Sequence, residues 1–238
     1  MHKSQLNSSR TQRSADEVPS GNRRNFLRTA GLTTAAGVAF LAVGCKKDDE
    51  PIVTPSTVDL GSGDVGILNY AYALEQLEAA FYTQVIATPY SGISASELAL
   101  LTDIRDHEII HREFFKAALG TNAIKGLEVD FSKIDFSSRA SVLGTAKVFE
   151  DTGVAAYNGA GKLIKDGGYL LLAGKIVSVE ARHAAVIRDL LEPFTTSFAG
   201  DDIIDGNGLD AAKKPADILA AVQPFVKTPL SGANLPTS

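Results

Sequence analysis

Four stretches of the chain carry apolar residues at steps of three and four, the spacing that places side chains on one face of an α-helix. In the first stretch these residues include Leu68, Leu74, Leu77 and Phe81. The four stretches cover residues 67–87, 94–119, 137–164 and 169–191. Each has an apolar stripe that must be buried, so the pattern predicts an all-α bundle of four long helices.

The link between the second and third helices, residues 120–137, predicts a long crossover. A helix of about 25 residues is roughly 37 Å long, and about 18 extended residues reach farther than that.

Pro193 is expected to end the fourth helix. Residues 216–226 predict a short helix packed on the bundle, and the last residues are expected to be loose. Residues 201–210 lack the acidic third position and closing Glu of a calcium loop, which favours a turn.

Polar residues interrupt the apolar stripes in a pattern that occurs twice. Glu75 stands 33 residues before Glu108, and Glu150 stands 30 residues before Glu180. The later glutamate of each pair is followed three residues on by a histidine, His111 or His183. The earlier glutamate is followed seven residues on by a tyrosine, Tyr82 or Tyr157. Residues three and seven apart share a helix face, so each repeat can direct these side chains at one place.

Four carboxylates in an apolar core are costly unless something offsets their charge. Two divalent cations would cancel four negative charges, and the two imidazoles would complete the ligand set as neutral donors. Carboxylate with imidazole suits iron or manganese. One Glu-x-x-His step alone is weak evidence, because such residues also pair on exposed helix faces. The doubled pattern predicts a two-metal site, with Tyr82 and Tyr157 as hydrogen-bond donors to the ligands.

Other polar residues are interpreted as lying outside the ligand set. Glu78 follows Glu75 by one turn, but its counterpart in the second repeat is Gly153, so we expect it to support the ligands or to lie on the surface. The counterpart of His107 is Val179, which favours a histidine on the helix surface. Six further charged residues are expected to be solvated or to lie outside: Glu97, Glu113, Lys116, Arg139, Lys162 and Arg188.

The chain resembles the ferritin-like di-iron and di-manganese superfamily, and in particular its secreted, desiccation-related branch. The resemblance covers residues 64–192 and is carried by four segments, 74–82 (LEQLEAAFY), 106–111 (DHEIIH), 150–157 (EDTGVAAY) and 179–183 (VEARH). It implies a ferritin-like four-helix bundle with a long crossover between helices 2 and 3. It also implies a division of ligands. Glu75 and His111 would bind one metal, Glu150 and His183 the other, and Glu108 and Glu180 would bridge the two.

The resemblance further implies redox chemistry with two iron or manganese ions as cofactors. Glu108 and Glu180 would be the catalytic bridging residues, and Fe(II) oxidation by oxygen or peroxide, or peroxide removal, would protect against oxidative or drying stress. Two alternatives stay open. The first is a non-catalytic metal-binding or structural stress protein, and the second is an interaction module whose acidic cluster is protonated. The residues do not choose between iron and manganese, and they leave a homodimer open.

The first 44 residues predict an export signal. Residues 22–28 (NRRNFLR) resemble the twin-arginine signal, and the apolar stretch 30–43 is too short and too rich in small residues to span a membrane stably. Residues 41–45 (LAVGC) resemble a lipoprotein cleavage box that ends at Cys45, the only cysteine. Lipidation at Cys45, with residues 45–63 as a flexible tether, predicts a protein anchored in the periplasm or at the cell surface.

Charge limits the partners of the predicted mature protein. Of 23 Lys and Arg and 28 Asp and Glu, six and two lie before residue 45, leaving 17 and 26 and a net charge of −9. Such a surface repels nucleic acid and attracts cations. The chain has no glycine loop for nucleotides and no serine-nucleophile motif. The predicted plan is therefore a bundle over residues 64–192 and an extension over 193–238.

Overall fold

Four long helices form the bundle in a computed structural model that describes residues 56–237. They are α1 (Gly63–Ala87), α2 (Ala95–Leu119), α3 (Arg139–Gly161) and α4 (Gly167–Leu191). A short α5 (Pro215–Val222) follows, and two strands, β1 (Val58–Asp59) and β2 (Leu230–Ser231), lie near the ends of the described chain. The predicted all-α architecture is confirmed.

Local sequence explains where the helices begin and end. Side chains at three N-termini accept hydrogen bonds from free backbone N–H groups, Ser94 from Glu97, Ser138 from Ser141, and Asp166 from Gly168 and Tyr169. Gly120, with φ 55°, ends α2 in a conformation that favours glycine. Since residue 137 precedes the Ser138 cap and α3 ends at Gly161, the predicted third helix is slightly too long.

The crossover between α2 and α3 runs the full length of the bundle. Ile67, Ala118, Ala160 and Tyr169 line one cavity, which places the start of α1, the end of α2, the end of α3 and the start of α4 together. At the opposite end, the guanidinium of Arg139 at the start of α3 donates to Glu97 near the start of α2. The chain therefore crosses from one end of the bundle to the other, as predicted.

Helix α1 is buried on nearly all sides, because α2, α3 and the crossover surround it. Its polar residues hold the crossover in place. Asn69 donates to the carbonyl of Asn122 and accepts from the N–H of Ile124, and Gln76 accepts from the N–H of Leu127. Farther along, an aromatic cluster closes the core around Phe81, with Phe131, Phe136 and Phe149.

The C-terminal extension packs on the bundle. Ile218 and Val222 of α5 are buried, and β2 pairs in parallel with β1, with Val58 opposite Leu230. The expectation of loose last residues is therefore wrong through residue 237, since the β1–β2 pairing and the buried side chain of Leu235 hold this segment. The end of the predicted tether is also ordered, because β1 lies within it. Asp205 accepts from the N–H groups of Asn207 and Leu209, which forms the predicted turn.

None of the helices among residues 56–237 is both long enough and apolar enough to cross a membrane. The predicted export signal, Cys45 and most of the tether lie outside the described residues.

Candidate metal centre

The six predicted ligand residues come from four different helices and meet in the middle of the bundle. Helix α1 contributes Glu75, α2 contributes Glu108 and His111, α3 contributes Glu150, and α4 contributes Glu180 and His183. The four glutamates are 0 % exposed, and His111 and His183 are 8 % and 4 % exposed. The structure thus brings all six together, and their role as ligands stays a prediction.

The cluster divides into two groups of four that share two glutamates. One group is Glu75, Glu108, His111 and Glu180, and the other is Glu108, Glu150, Glu180 and His183. Each residue offers one ligand atom, and the atoms of each group lie within 4.8 Å of one another. Glu108 and Glu180 belong to both groups, which is the position that a residue bridging two cations must have.

Both histidines present Nδ1 to the carboxylates. His111 Nδ1 lies 3.0 Å from Glu180 Oε1 and 3.4 Å from Glu75 Oε2. His183 Nδ1 lies 2.8 Å from Glu108 Oε1 and 3.5 Å from Glu150 Oε2. These contacts lack hydrogen-bond geometry, because neither Nδ1 atom has a hydrogen-bond partner. These nitrogen and oxygen atoms therefore converge on one place without satisfying one another by well-aligned hydrogen bonds.

Unpartnered buried atoms test whether cations fit this place. Eight side-chain nitrogen and oxygen atoms of the six residues are fully buried and have no hydrogen-bond partner. A buried polar atom without a partner is costly, and native proteins have few of them. Oxygen and imidazole nitrogen are donors that iron and manganese accept. The donor set fits two such ions held between the helices.

Charge within the cluster is distributed unevenly. Burial raises the pKa of Glu108, but the imidazoles of His111 and His183 outweigh burial and lower it to about 2. Burial lowers the pKa of His111, but the carboxylates of Glu108, Glu180 and Glu75 outweigh it and raise the value to about 12. The carboxylates of Glu108 and Glu150 likewise outweigh burial and raise the pKa of His183 to about 10.

The other glutamates hold protons more firmly than usual. Burial raises the pKa of Glu75 to about 8, raises that of Glu150, and raises that of Glu180 well above its ordinary range. Without bound cations, protons on the imidazoles and carboxylates offset the negative charge. Cations that enter the cluster must displace these protons.

The two predicted tyrosine donors act across the bundle. Tyr82 of α1 donates to Glu150 of α3, and Tyr157 of α3 donates to Glu75 of α1. Each tyrosine therefore supports the glutamate of the other repeat rather than the one on its own helix. This exchange fixes one oxygen of each glutamate and leaves the other oxygen directed at the cluster.

Glu78 is a fifth carboxylate that the ligand pattern does not include. It is 3 % exposed, so the surface alternative is wrong, and support of the ligands stays a prediction. A Cβ atom at Gly153 would lie 3.1 Å from Glu78 Oε1 and 3.4 Å from Glu180 Oε2. The missing side chain of Gly153 therefore makes room for Glu78. Burial, and then repulsion by Glu180, raises the pKa of Glu78 well above its ordinary range.

His107 is exposed, as expected, but it also contacts a predicted ligand. Its Nδ1 lies 3.0 Å from Nε2 of His183. Partial burial, followed by the charges of His183 and His111, lowers the pKa of His107. The sequence holds one signal of this contact, since His107 is four residues before His111 and so lies on the same face of α2.

Two charged residues expected to lie outside are buried. Glu97 accepts from Nε of Arg139 at 2.9 Å, and this pairing explains its burial. Arg188 is 1 % exposed and donates to Asp151 and Asp202. Both expectations were therefore wrong, because partners on other segments offset the buried charges. Glu113 is exposed, with Arg112 beside it.

An apolar cavity lies between the helices at one end of the bundle. Its volume is about 30 Å³, and its lining includes Leu68, Leu74, Phe115, Ala156 and Tyr157. Tyr157 also donates to Glu75, so one wall of the cavity adjoins the cluster. The cavity is large enough for one or two molecules of the size of water or dioxygen.

Comparison with known proteins adds one finding. The model of a family described as "Ferritin-like domain" matches residues 63–193, which is more than half of the chain. The matched span includes α1 to α4 and all six predicted ligand residues. A search of curated proteins found no match.

Proposed function

This chain belongs to the ferritin-like domain family, and from that premise we propose that its buried cluster binds two iron or manganese ions and uses them in redox chemistry. The observation that carries the proposal is the meeting of six side chains, eight of whose buried nitrogen and oxygen atoms have no hydrogen-bond partner. The bound ions would supply the ability to pass two electrons to an oxidant. Glu75 and His111 would hold one ion, Glu150 and His183 the other, and Glu108 and Glu180 both.

The proposed reaction is oxidation of Fe(II) or removal of peroxide, as protection in oxidative or drying stress. With peroxide, two Fe(II) substrate ions each lose one electron, and hydrogen peroxide takes both electrons and two protons to give two water molecules. The protein's own part is to fix the ligands and to keep the surroundings dry. Tyr82 and Tyr157 hold the outer oxygens of Glu150 and Glu75, and the apolar core excludes water.

The apolar cavity beside Tyr157 favours dioxygen as the first oxidant to test. An apolar lining accepts dioxygen without breaking hydrogen bonds, whereas hydrogen peroxide must leave its water partners behind. Rates of Fe(II) oxidation with each oxidant, measured on the same protein, would separate the two. A faster reaction with peroxide than with dioxygen would count against dioxygen as the oxidant.

Substitution of a shared glutamate tests the metal site and the activity together. Glu108→Ala removes a donor from both groups of four, so we expect it to abolish binding of the metal pair and Fe(II) oxidation. Elemental analysis would measure the metal content, and absorbance of Fe(III) would follow oxidation. Glu113→Ala is the matched control, because Glu113 is exposed on the same helix. Unchanged metal content and rate in Glu108→Ala would contradict the proposal.

A structural role is the second candidate, and one observation favours it. The six donors come from all four long helices, so bound cations would hold the bundle together without any turnover. Metal that raises the melting temperature while Fe(II) oxidation stays at the rate of free solution would support this candidate. Turnover well above that rate would support the redox function.

The proposed cell location rests on the sequence alone. We propose export by the twin-arginine route and a lipid anchor at Cys45, with the bundle in the periplasm or at the cell surface. Radiolabelled fatty acid should be incorporated into the wild-type chain but not into Cys45→Ala. Equal label in both proteins would refute the anchor.

A further inference from the structure

A histidine pair joins the cluster to the surface of the bundle. His107 of α2 and His183 of α4 lie with Nδ1 and Nε2 3.0 Å apart, and their ring planes differ by only 9°. The ring centroids are 5.2 Å apart. The distance between the ring centroids exceeds the distance between the two nitrogens by about the sum of the two ring radii. The rings therefore meet edge to edge, and the hydrogen bond lies close to both ring planes.

The orientation of His183 decides which ring donates. Its Nδ1 faces Glu108 and Glu150, so this is the nitrogen that would bind a cation. A neutral imidazole that uses Nδ1 as a ligand carries its proton on Nε2. Nε2 of His183 therefore donates to Nδ1 of His107, and the proton of His107 resides on its outer nitrogen.

The other predicted ligand histidine has no such partner. Among residues 56–237, no hydrogen bond to another residue is found for the ring of His111. The residue that holds the place of His107 in the second repeat is Val179, one position before Glu180, and its side chain can neither donate nor accept a hydrogen bond. The two halves of the cluster therefore share their ligand types, but they differ in whether another side chain accepts a hydrogen bond from the ligand imidazole.

We propose that His107 is a positioning residue that makes the two metal positions unequal, so that the Glu150–His183 position binds its cation more tightly than the Glu75–His111 position. The inference rests on the metal binding proposed above. An acceptor behind a ligand imidazole fixes its tautomer and ring orientation and strengthens nitrogen donation to the metal. Of the two ligand histidines, only His183 has such an acceptor among residues 56–237.

Titration of the full-length protein with Co(II), followed by visible absorption, tests this inference. We expect two binding steps of unequal affinity in the wild type. His107→Leu should weaken the tighter step about 10- to 100-fold and leave the weaker step unchanged. His107→Asn should restore most of the lost affinity, because its side-chain oxygen can accept from Nε2 of His183. His107 is exposed, so these substitutions do not disturb the core.

Two further variants localise the effect. In a His183→Ala background, His107→Leu should change neither remaining affinity, because the partner through which His107 acts is gone. Val179→His should strengthen the weaker step, since it introduces an imidazole at the matching place in the second repeat. A weakening of both steps by His107→Leu, or of either step in the His183→Ala background, would overturn the inference.

A direct measurement needs no variant. In zinc-loaded protein with ¹⁵N-labelled histidine, NMR should show the proton of His183 on Nε2 and a coupling across the hydrogen bond to Nδ1 of His107. Absence of this coupling would overturn the inference.

The two proposals fail separately, because wild-type protein that binds no Co(II) refutes the metal centre. Two steps that are equal in the wild type, or unequal steps that His107→Leu leaves unchanged, refute only the role of His107.

Discussion

Protons and cations compete for the same side chains in the cluster. At neutral pH the raised pKa values of His111 and His183, about 12 and about 10, keep both imidazoles in the charged form, with a proton on each ring nitrogen. Glu75, with a pKa of about 8, also keeps its proton. Because a cation needs these lone pairs, binding must release protons, and the apparent affinity for metal must rise with pH.

This competition predicts opposite pH dependence for the stability of the metal-free fold and for the additional stability that metal provides. Groups with a raised pKa stabilise the metal-free fold at low pH, and this contribution is lost as pH rises through the folded-state pKa. For Glu75 this stabilisation is lost between about pH 4.5, its ordinary pKa, and about pH 8, its pKa in the folded protein. Between pH 5 and 8, the melting temperature of metal-free protein should fall, and the increase produced by Mn(II) should grow.

A pH indicator in weakly buffered solution provides the second measurement. Saturation with Mn(II) at pH 7 should release at least two protons for each protein molecule, one from each imidazole. Glu108→Ala, which lacks the shared ligand, serves as the control and should release few protons. Binding without proton release would mean that the imidazoles are not the ligands.

The crossed tyrosines lead to a second prediction at the scale of single residues. Tyr82→Phe leaves a buried oxygen of Glu150 without its donor, which should cost about 1–3 kcal/mol in the free energy of unfolding. Tyr70→Phe is the matched control on the same helix, because the buried hydroxyl of Tyr70 has no hydrogen-bond partner. Urea denaturation should show a loss for the first variant and little change or a small gain for the second. Equal effects would contradict the crossed support.

At the scale of helices, close approach depends on single glycines. A Cβ at Gly159 would lie 1.7 Å from the carbonyl oxygen of Lys213, where the extension crosses α3. The N–H of Lys213 also donates to the carbonyl of Ala155, so the backbone cannot simply move away. Gly159→Ala should therefore lower the free energy of unfolding by about 1–3 kcal/mol.

Gly144 provides the opposite case on the same helix. A Cβ there meets nothing within 4 Å, and glycine in a helix interior costs conformational entropy. Gly144→Ala should raise the free energy of unfolding by about 0.5–1 kcal/mol. Thermal unfolding of both variants would compare them, and a gain in Gly159→Ala would show that the extension does not approach α3 so closely.

Helices and their long connection could be predicted from the sequence because these features are local and periodic. The stripe that includes Leu74, Leu77 and Phe81 marks one helix whatever lies against it. Burial of a charge is different, since it depends on a partner elsewhere in the chain. Glu97 is buried because Arg139 from another helix reaches it, and no pattern within α2 shows that.

The candidate site could likewise be predicted only in part, because some of its residues follow the repeat and others depend on neighbours elsewhere in the chain. The six residues that meet in the cluster could be predicted because the repeat places Glu108 and Glu180 at matching positions, whereas Glu78 and His107 break the repeat. Their places follow from the cross-helix neighbours Gly153 and His183. A small residue opposite an unmatched glutamate is the one sequence signal that could have indicated a buried fifth carboxylate.

At the scale of the whole molecule, one buried arginine joins the bundle to the extension beyond the matched family domain. Arg188 of α4 donates to both oxygens of Asp151 on α3 and, through Nη1 and Nη2, to Asp202 at 3.0 and 2.9 Å. It also donates to the carbonyl of Ser197. Two carboxylates and a carbonyl thus compensate for the burial of its charge, and the segment 197–202 is held against the helices.

Removal of this arginine should loosen the extension before it affects the metal centre. Arg188→Met leaves Asp151 paired with Lys147 but without its buried guanidinium partner, which should cost about 3 kcal/mol in the free energy of unfolding, the low end for a broken buried pair. Arg105→Met is the matched control and should cost less than about 1 kcal/mol, because Arg105 pairs with Asp106 on the surface. Hydrogen exchange should accelerate in residues 197–210 of Arg188→Met, while the Mn(II) content stays that of the wild type. Equal losses in the two variants, or unchanged exchange in this segment, would show that the extension is held by α5 and the β1–β2 pair instead.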